Sequence, residues 1–204
     1  MLRALSLSLV SALALALILP VYWPAGNNQS DACQAAGKAD VGGPFDLINQ
    51  DGEAVNFETY LGKPQLIYFG FGYCPDVCPM SLQKIGAAMD ILGDKAGAIQ
   101  PMLFSIDPQR DTPESLKLYL TSNGFAKNMV ALTGTQEQVD GAIKAYRIFA
   151  KRVDDPDSAA GYTMDHASLF YLMDASGEFV DVMGHDTTPE QMAARLKAYL
   201  KTGC

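Results

Sequence analysis

Phe69-Gly70-Phe71-Gly72-Tyr73-Cys74-Pro75-Asp76-Val77-Cys78-Pro79 is the run that decides how this chain folds and what it does. Just before and into it, Leu66-Ile67-Tyr68-Phe69 is a compact apolar stretch of the kind that forms a buried central strand. Just after it, helical spacing runs from about residue 80 to residue 92. Two thiols therefore stand four residues apart behind a strand and at the mouth of a helix. Positions i and i+4 share a helix face, so the two sulfurs can close on one metal ion. Free N–H groups at a helix N-terminus favour the thiolate, and thiolates bind soft metals, Cu(I) prominent among them. The plainer reading is a buried disulfide or two inert core thiols. Gly and Pro around the pair favour an exposed loop over it.

Working outward, residues 102–106 read as a second buried strand. Asp107-Pro108-Gln109-Arg110-Asp111-Thr112-Pro113 follows, with Thr112 as N-cap and Pro113 at the first helical position. Sheet order brings this loop to the same edge as the cysteines. Its charges read as partner-steering groups or as an Arg110–Asp111 pair holding the loop, with Asp111 also assigned to capping. Upstream, extended stretches around residues 45–49 and 54–57 turn at Asp51-Gly52. Downstream come a strand at 130–133 and a helix from Thr135 to about Phe149, with Gln138 completing a capping box. The acidic loop Asp154-Asp155-Pro156-Asp157 precedes a hairpin of residues 169–173 and 178–183 turning at Ala175-Ser176-Gly177, and a helix over 191–201 closes the chain. Strands alternating with helices predict an α/β sheet covered on both faces.

Composition narrows the function. The chain has 204 residues, 49% of them apolar, enough for one sizeable domain. Lys and Arg total 15 against 23 acidic residues, a net charge of −8, which repels a phosphate backbone and excludes nucleic acid as a partner. Residues 4–23 form a run of twenty without a charge, preceded by Arg3 and ending in Pro20-Val21-Tyr22-Trp23. That length spans a hydrocarbon core, and the basic residue before it leaves the N-terminus in the cytoplasm. A cleaved signal peptide is the rival, but no clean Ala-x-Ala site follows the run. The expected layout is an anchor over 1–23, a polar tether over 24–43 and a domain over 44–204, held at the inner membrane on the exported, periplasmic side. Disulfides persist there, and Cys33 and Cys204 flank the domain, candidates for a bridge joining its ends.

Two sulfurs leave a metal under-coordinated, and only His166 and His185 are available as imidazoles. His166 has the better claim, at a strand end where α/β folds build sites, with Asp165 as the carboxylate orienting its ring. His185, in Gly184-His185-Asp186, reads as a solvated turn residue.

The runs Tyr68-Phe69-Gly70, Cys74-Pro75-Asp76-Val77-Cys78-Pro79, Asp107 to Pro113, Leu132-Thr133-Gly134 and Asp165-His166 together resemble the Sco/SenC proteins, collinearly from about residue 40 to 201. The resemblance implies a thioredoxin-like fold and one copper ion held by Cys74, Cys78 and His166, as Cu(I) with Cu(II) as a second candidate. It also implies assembly of the dinuclear copper site of cytochrome c oxidase, with subunit II as the partner. Asp76, Asp107, Arg110 and Asp165 would be supporting or docking groups. Gly72 departs from the pattern, since many relatives carry Thr there. Cys33 and Cys204 lie outside the motif. A metallochaperone is thus the first reading. A thiol–disulfide oxidoreductase working through Cys74 and Cys78 is the alternative, although Cys-x-x-x-Cys has one residue more than the familiar redox spacing and His166 would be idle. A thiol peroxidase fits poorly: peroxiredoxins carry Thr where Phe71 stands, and the only Trp is Trp23.

Overall fold

A computed structural model of the chain describes residues 39–157 and 160–203. The expected anchor, most of the tether and both cysteines of the Cys33–Cys204 pair lie outside the described residues. Among the described residues no helix is long and apolar enough to cross a membrane.

The elements run β1 (Asp46–Asn49), β2 (Ala54–Asn56), a 3-10 turn (Phe57–Tyr60), β3 (Gln65–Gly70), α1 (Val77–Leu92), a second 3-10 turn (Gly93–Ala98) and β4 (Gln100–Ser105). Then follow α2 (Pro113–Tyr119), β5 (Val130–Thr133), α3 (Gln136–Ala145), β6 (Ala150–Asp154), β7 (Tyr162–His166), β8 (Leu169–Met173), β9 (Phe179–Gly184) and α4 (Pro189–Thr202). Seven strands make one mixed sheet in the order β2-β1-β5-β4-β3-β8-β9. All six residues of β3 are buried. Alternate side chains of a strand point to opposite faces, so both faces of the sheet are covered there.

Register decides where chemistry gathers. β3 runs parallel to β4, with Gly70 beside Ser105, so the loops after both strands leave from one edge. β8 runs antiparallel to β3, with Phe170 beside Tyr68, so the chain enters β8 at that same edge. The expected hairpins at Asp51-Gly52 and Ala175-Ser176-Gly177 are present. Thr112 accepts the Ser115 N–H as the N-cap of α2, and Thr135 with Gln138 forms the capping box of α3.

Three expectations change. The helix from Thr135 ends at Ala145, not Phe149, because Arg147 takes a left-handed φ of 53° and turns the chain into β6. The acidic stretch is no plain loop: it begins inside β6, which pairs with β7 in a separate two-stranded sheet. Helix α1 starts at Val77, drawing Cys78 into its first turn.

Helix α1 packs closely on the chain that follows α2. A Cβ at Gly86 would lie 1.9 Å from the Gly124 carbonyl oxygen and 2.9 Å from its carbon. No rotamer relieves a clash with backbone, so Gly86→Ala is expected to destabilise the domain by about 3 kcal/mol. A fall in the urea midpoint at unchanged slope checks this. An unchanged midpoint contradicts the packing.

Candidate metal centre

The edge shared by β3, β4 and β8 assembles the site. After Gly70 the chain has six residues, 71–76, in which to leave the sheet and enter α1. Asp76 occupies the N-cap position of α1, but its side chain makes no capping hydrogen bond. The Cys74 sulfur takes that place, accepting the Cys78 N–H at 3.4 Å. The Cys78 thiol, together with N–H groups of the first turn, holds the Cys74 thiol down to about 5 against the opposition of burial. Cys78, fully buried, is pushed far up by its neighbour Cys74 and by burial. The two thiols are thus unequal: half-buried Cys74 is the one favoured to carry charge and buried Cys78 the one favoured to keep its proton. Both are free thiols.

Imidazole completes the group. The His166 Nε2 lies 3.6 Å from the Cys78 Sγ, and its Nδ1 lies 3.1 Å from the Ala167 carbonyl oxygen. A carbonyl only accepts, so Nδ1 carries the ring proton and Nε2 turns its lone pair to the sulfur, as the acceptor for the Cys78 S–H. Burial keeps the ring neutral by lowering its basicity. The orienting group is therefore the Ala167 carbonyl, while Asp165 stays exposed on β7 opposite Lys151. His185 is exposed, in the turn after β9.

The Asp107–Pro113 loop braces these parts. Asp107, buried, pairs with Arg110 and accepts the Tyr162 hydroxyl at 2.8 Å. Arg110 also donates to the Tyr162 carbonyl at 3.0 Å. The Arg110 and Arg152 guanidinium carbons each sit 3.7 Å from the Tyr162 ring centroid; a ring has two faces, so each takes one. Arg110 lies also 4.9 Å from the Tyr73 ring centroid, linking the thiol loop to the hairpin that ends in His166. The expected Arg110–Asp111 pair is replaced by Arg110–Asp107, because Asp111 turns inward. Its carboxylate does not cap α2. It accepts the Gly72 N–H at 3.1 Å and the Ser105 hydroxyl at 2.6 Å, and burial raises its pKa to about 6.

Sequence reasoning missed Tyr68. Its hydroxyl reaches the Cys78 Sγ at 3.8 Å and the Ser168 Oγ at 3.3 Å. Gly70 permits this approach, since a Cβ there would lie 2.6 Å from the Tyr68 ring and 3.0 Å from the Cys78 sulfur. Among the described residues no three His, Cys, Asp or Glu side chains already converge tightly enough to hold a metal ion. Cys78 touches both partners, and the Cys74 sulfur, which accepts the helix N–H through one lone pair, keeps others for a metal.

Comparison with known proteins is consistent across sequence and structure. The family model described as SCO1/SenC matches residues 33–201. Protein SenC of Rhodobacter capsulatus is 39% identical over 162 residues, covering 79% of this chain and 72% of that protein. The copper-bound structure of ScoI from Bradyrhizobium japonicum superposes with a TM-score of 0.70 at 43% identity, covering 78% of this chain and 99% of that one. BsSco, described as a member of the Sco family of cytochrome c oxidase assembly proteins with a disulfide switch, superposes with a TM-score of 0.63 at 25% identity, over 81% and 96% of the two chains. The thioredoxin-like α/β fold is thus shared with these proteins.

In the reduced, metal-free protein, alkylation of Cys74 is expected to stay fast from pH 8 down to about 6 and to fall through a midpoint near 5. Iodoacetamide labelling followed by mass spectrometry reads the rate at each cysteine. A midpoint in the range of an ordinary thiol, about 8.5, contradicts the capping role of the sulfur.

Proposed function

The chain belongs to the SCO1/SenC family, and from that membership we propose that it binds one copper ion through Cys74, Cys78 and His166 and delivers it to cytochrome c oxidase subunit II. The carrying observation is that Cys78 meets both partners, its buried sulfur lying 3.6 Å from His166 Nε2 and its N–H donating to the Cys74 sulfur at 3.4 Å. Two thiolates and an imidazole suit Cu(I), the softer state. The ion enters at Cys74, which is already charged and half-buried, and binding at Cys78 expels the proton that this thiol holds. Release runs in reverse. An acceptor thiol or imidazole displaces one ligand at a time, beginning at the exposed side, where Tyr73 is 60% exposed. The uncharged run over residues 4–23 supports a membrane tether, with the domain on the exported side.

A second reading, thiol–disulfide exchange with the acceptor's cysteines, is favoured by one feature: a charged, accessible Cys74 beside a protonated Cys78 has the asymmetry of an attacking and a resolving thiol. His166 separates the two readings, because exchange gives it no task.

The test measures copper stoichiometry and affinity after reduction, in protein whose Cys33 and Cys204 are both replaced by Ser. One copper per chain is expected. Cys74→Ser, Cys78→Ser and His166→Ala should each weaken it by at least about 100-fold, the upper end of what loss of a supporting group alone costs. If His166→Ala leaves affinity unchanged, the three-ligand site is wrong and the exchange reading takes its place.

A further inference from the structure

The Tyr68 hydroxyl has no task in the reading above, yet the fold places it with care. It sits in the middle of the buried strand β3, and its ring fits against a position where only glycine leaves room. Its oxygen reaches the Cys78 sulfur at 3.8 Å and the Ser168 Oγ at 3.3 Å, and the ring stands edge-on to His166 with centroids 6.2 Å apart. Building on the copper-binding reading, we propose that Tyr68 is a positioning and tuning residue, whose hydroxyl donates a hydrogen bond to the metal-bound sulfur of Cys78 and biases the site towards Cu(I).

Which group donates follows from chemistry. A metal-bound cysteine has lost its S–H and can only accept, so in the pair of phenol and sulfur the proton must be the phenol's. Ser168 is no barrier, because a serine hydroxyl can rotate to donate to the phenol oxygen and leave the phenol proton free for sulfur. The site is buried, where such a bond is felt more strongly than in water. A hydrogen bond on the sulfur draws electron density away from the metal. Cu(II) depends on that donation more than Cu(I) does, so the bond favours the reduced ion. A chaperone that carries Cu(I) gains from it, since the ion is held in the state that soft ligands exchange.

The full-length chain is loaded with copper, and Tyr68→Phe is compared with the unchanged protein. Removing the oxygen alone is expected to move the sulfur-to-Cu(II) charge-transfer absorption to lower energy and to lower the Cu(II)/Cu(I) potential. The preference for Cu(I) over Cu(II) should fall by about three- to tenfold, the worth of one hydrogen bond. A second arm replaces Tyr68 with a fluorinated tyrosine, a stronger donor of nearly the same shape, and the absorption and the potential should then move the opposite way. A merely structural role would not produce opposite shifts. If Tyr68→Phe fails to fold, the fluorinated arm decides alone. Unmoved spectra and potentials with one copper per chain still bound overturn the role of Tyr68 and leave the copper reading intact. If no variant, and not the unchanged protein, binds copper, the copper reading falls and this inference with it.

Discussion

The first turn of α1 exposes N–H groups that need an acceptor, and Asp76, in the position to supply one, does not. A sulfur fills the gap. Cys74 accepts the Cys78 N–H, which favours its charged form, while Cys78 is pushed the opposite way by its neighbour and by burial. Two chemically identical side chains four residues apart thereby become different: one half-buried and more readily ionised, one buried and less so. The same contact fixes the Cys74 sulfur at the helix mouth, one turn before Cys78.

The position of His166, the proposed third ligand, depends on a part of the molecule that contributes little to its core. Strands β6 and β7 are mostly exposed and pair only with each other. What holds them is the Tyr162 ring between Arg110 and Arg152, together with the buried Asp107 that receives the tyrosine's hydroxyl. His166 is the last residue of β7, so its distance from Cys78 is set by this clasp on one side and by the entry into β8 on the other. Asp111 does the corresponding work on the thiol side by fixing the Gly72 N–H. The Asp107–Pro113 loop thus braces both halves of the site, with none of these hydrogen bonds made to the Cys74, Cys78 or His166 side chains.

Much of this was legible in the sequence, because local rules carried it. β3 showed as an uninterrupted apolar run, Thr112 and Thr135 as helix caps, and the thiol pair as a loop at a helix mouth. The misses share a physical cause: long-range contacts decided them. β6 is exposed along most of its length and β7 alternates over only five residues with no fully buried side chain, so neither signals a core strand, and Ile148-Phe149 reads as more helix until Arg147 is seen at a positive φ. Asp111 sits beside a good cap and was assigned to it, whereas its partner Gly72 is 39 residues away. Tyr68 reads as one more apolar side chain of a central strand. Its polar end matters only because Ser168, 100 residues on, and Cys78 arrive beside it.

The central claim is that copper binds Cys74, Cys78 and His166 together. X-ray absorption at the copper edge of the reduced, copper-loaded protein tests this most directly. Two sulfur scatterers and one imidazole nitrogen per copper are predicted, with the imidazole signal lost in His166→Ala and the two sulfurs retained. A sulfur-only environment that His166→Ala leaves unchanged would contradict the account.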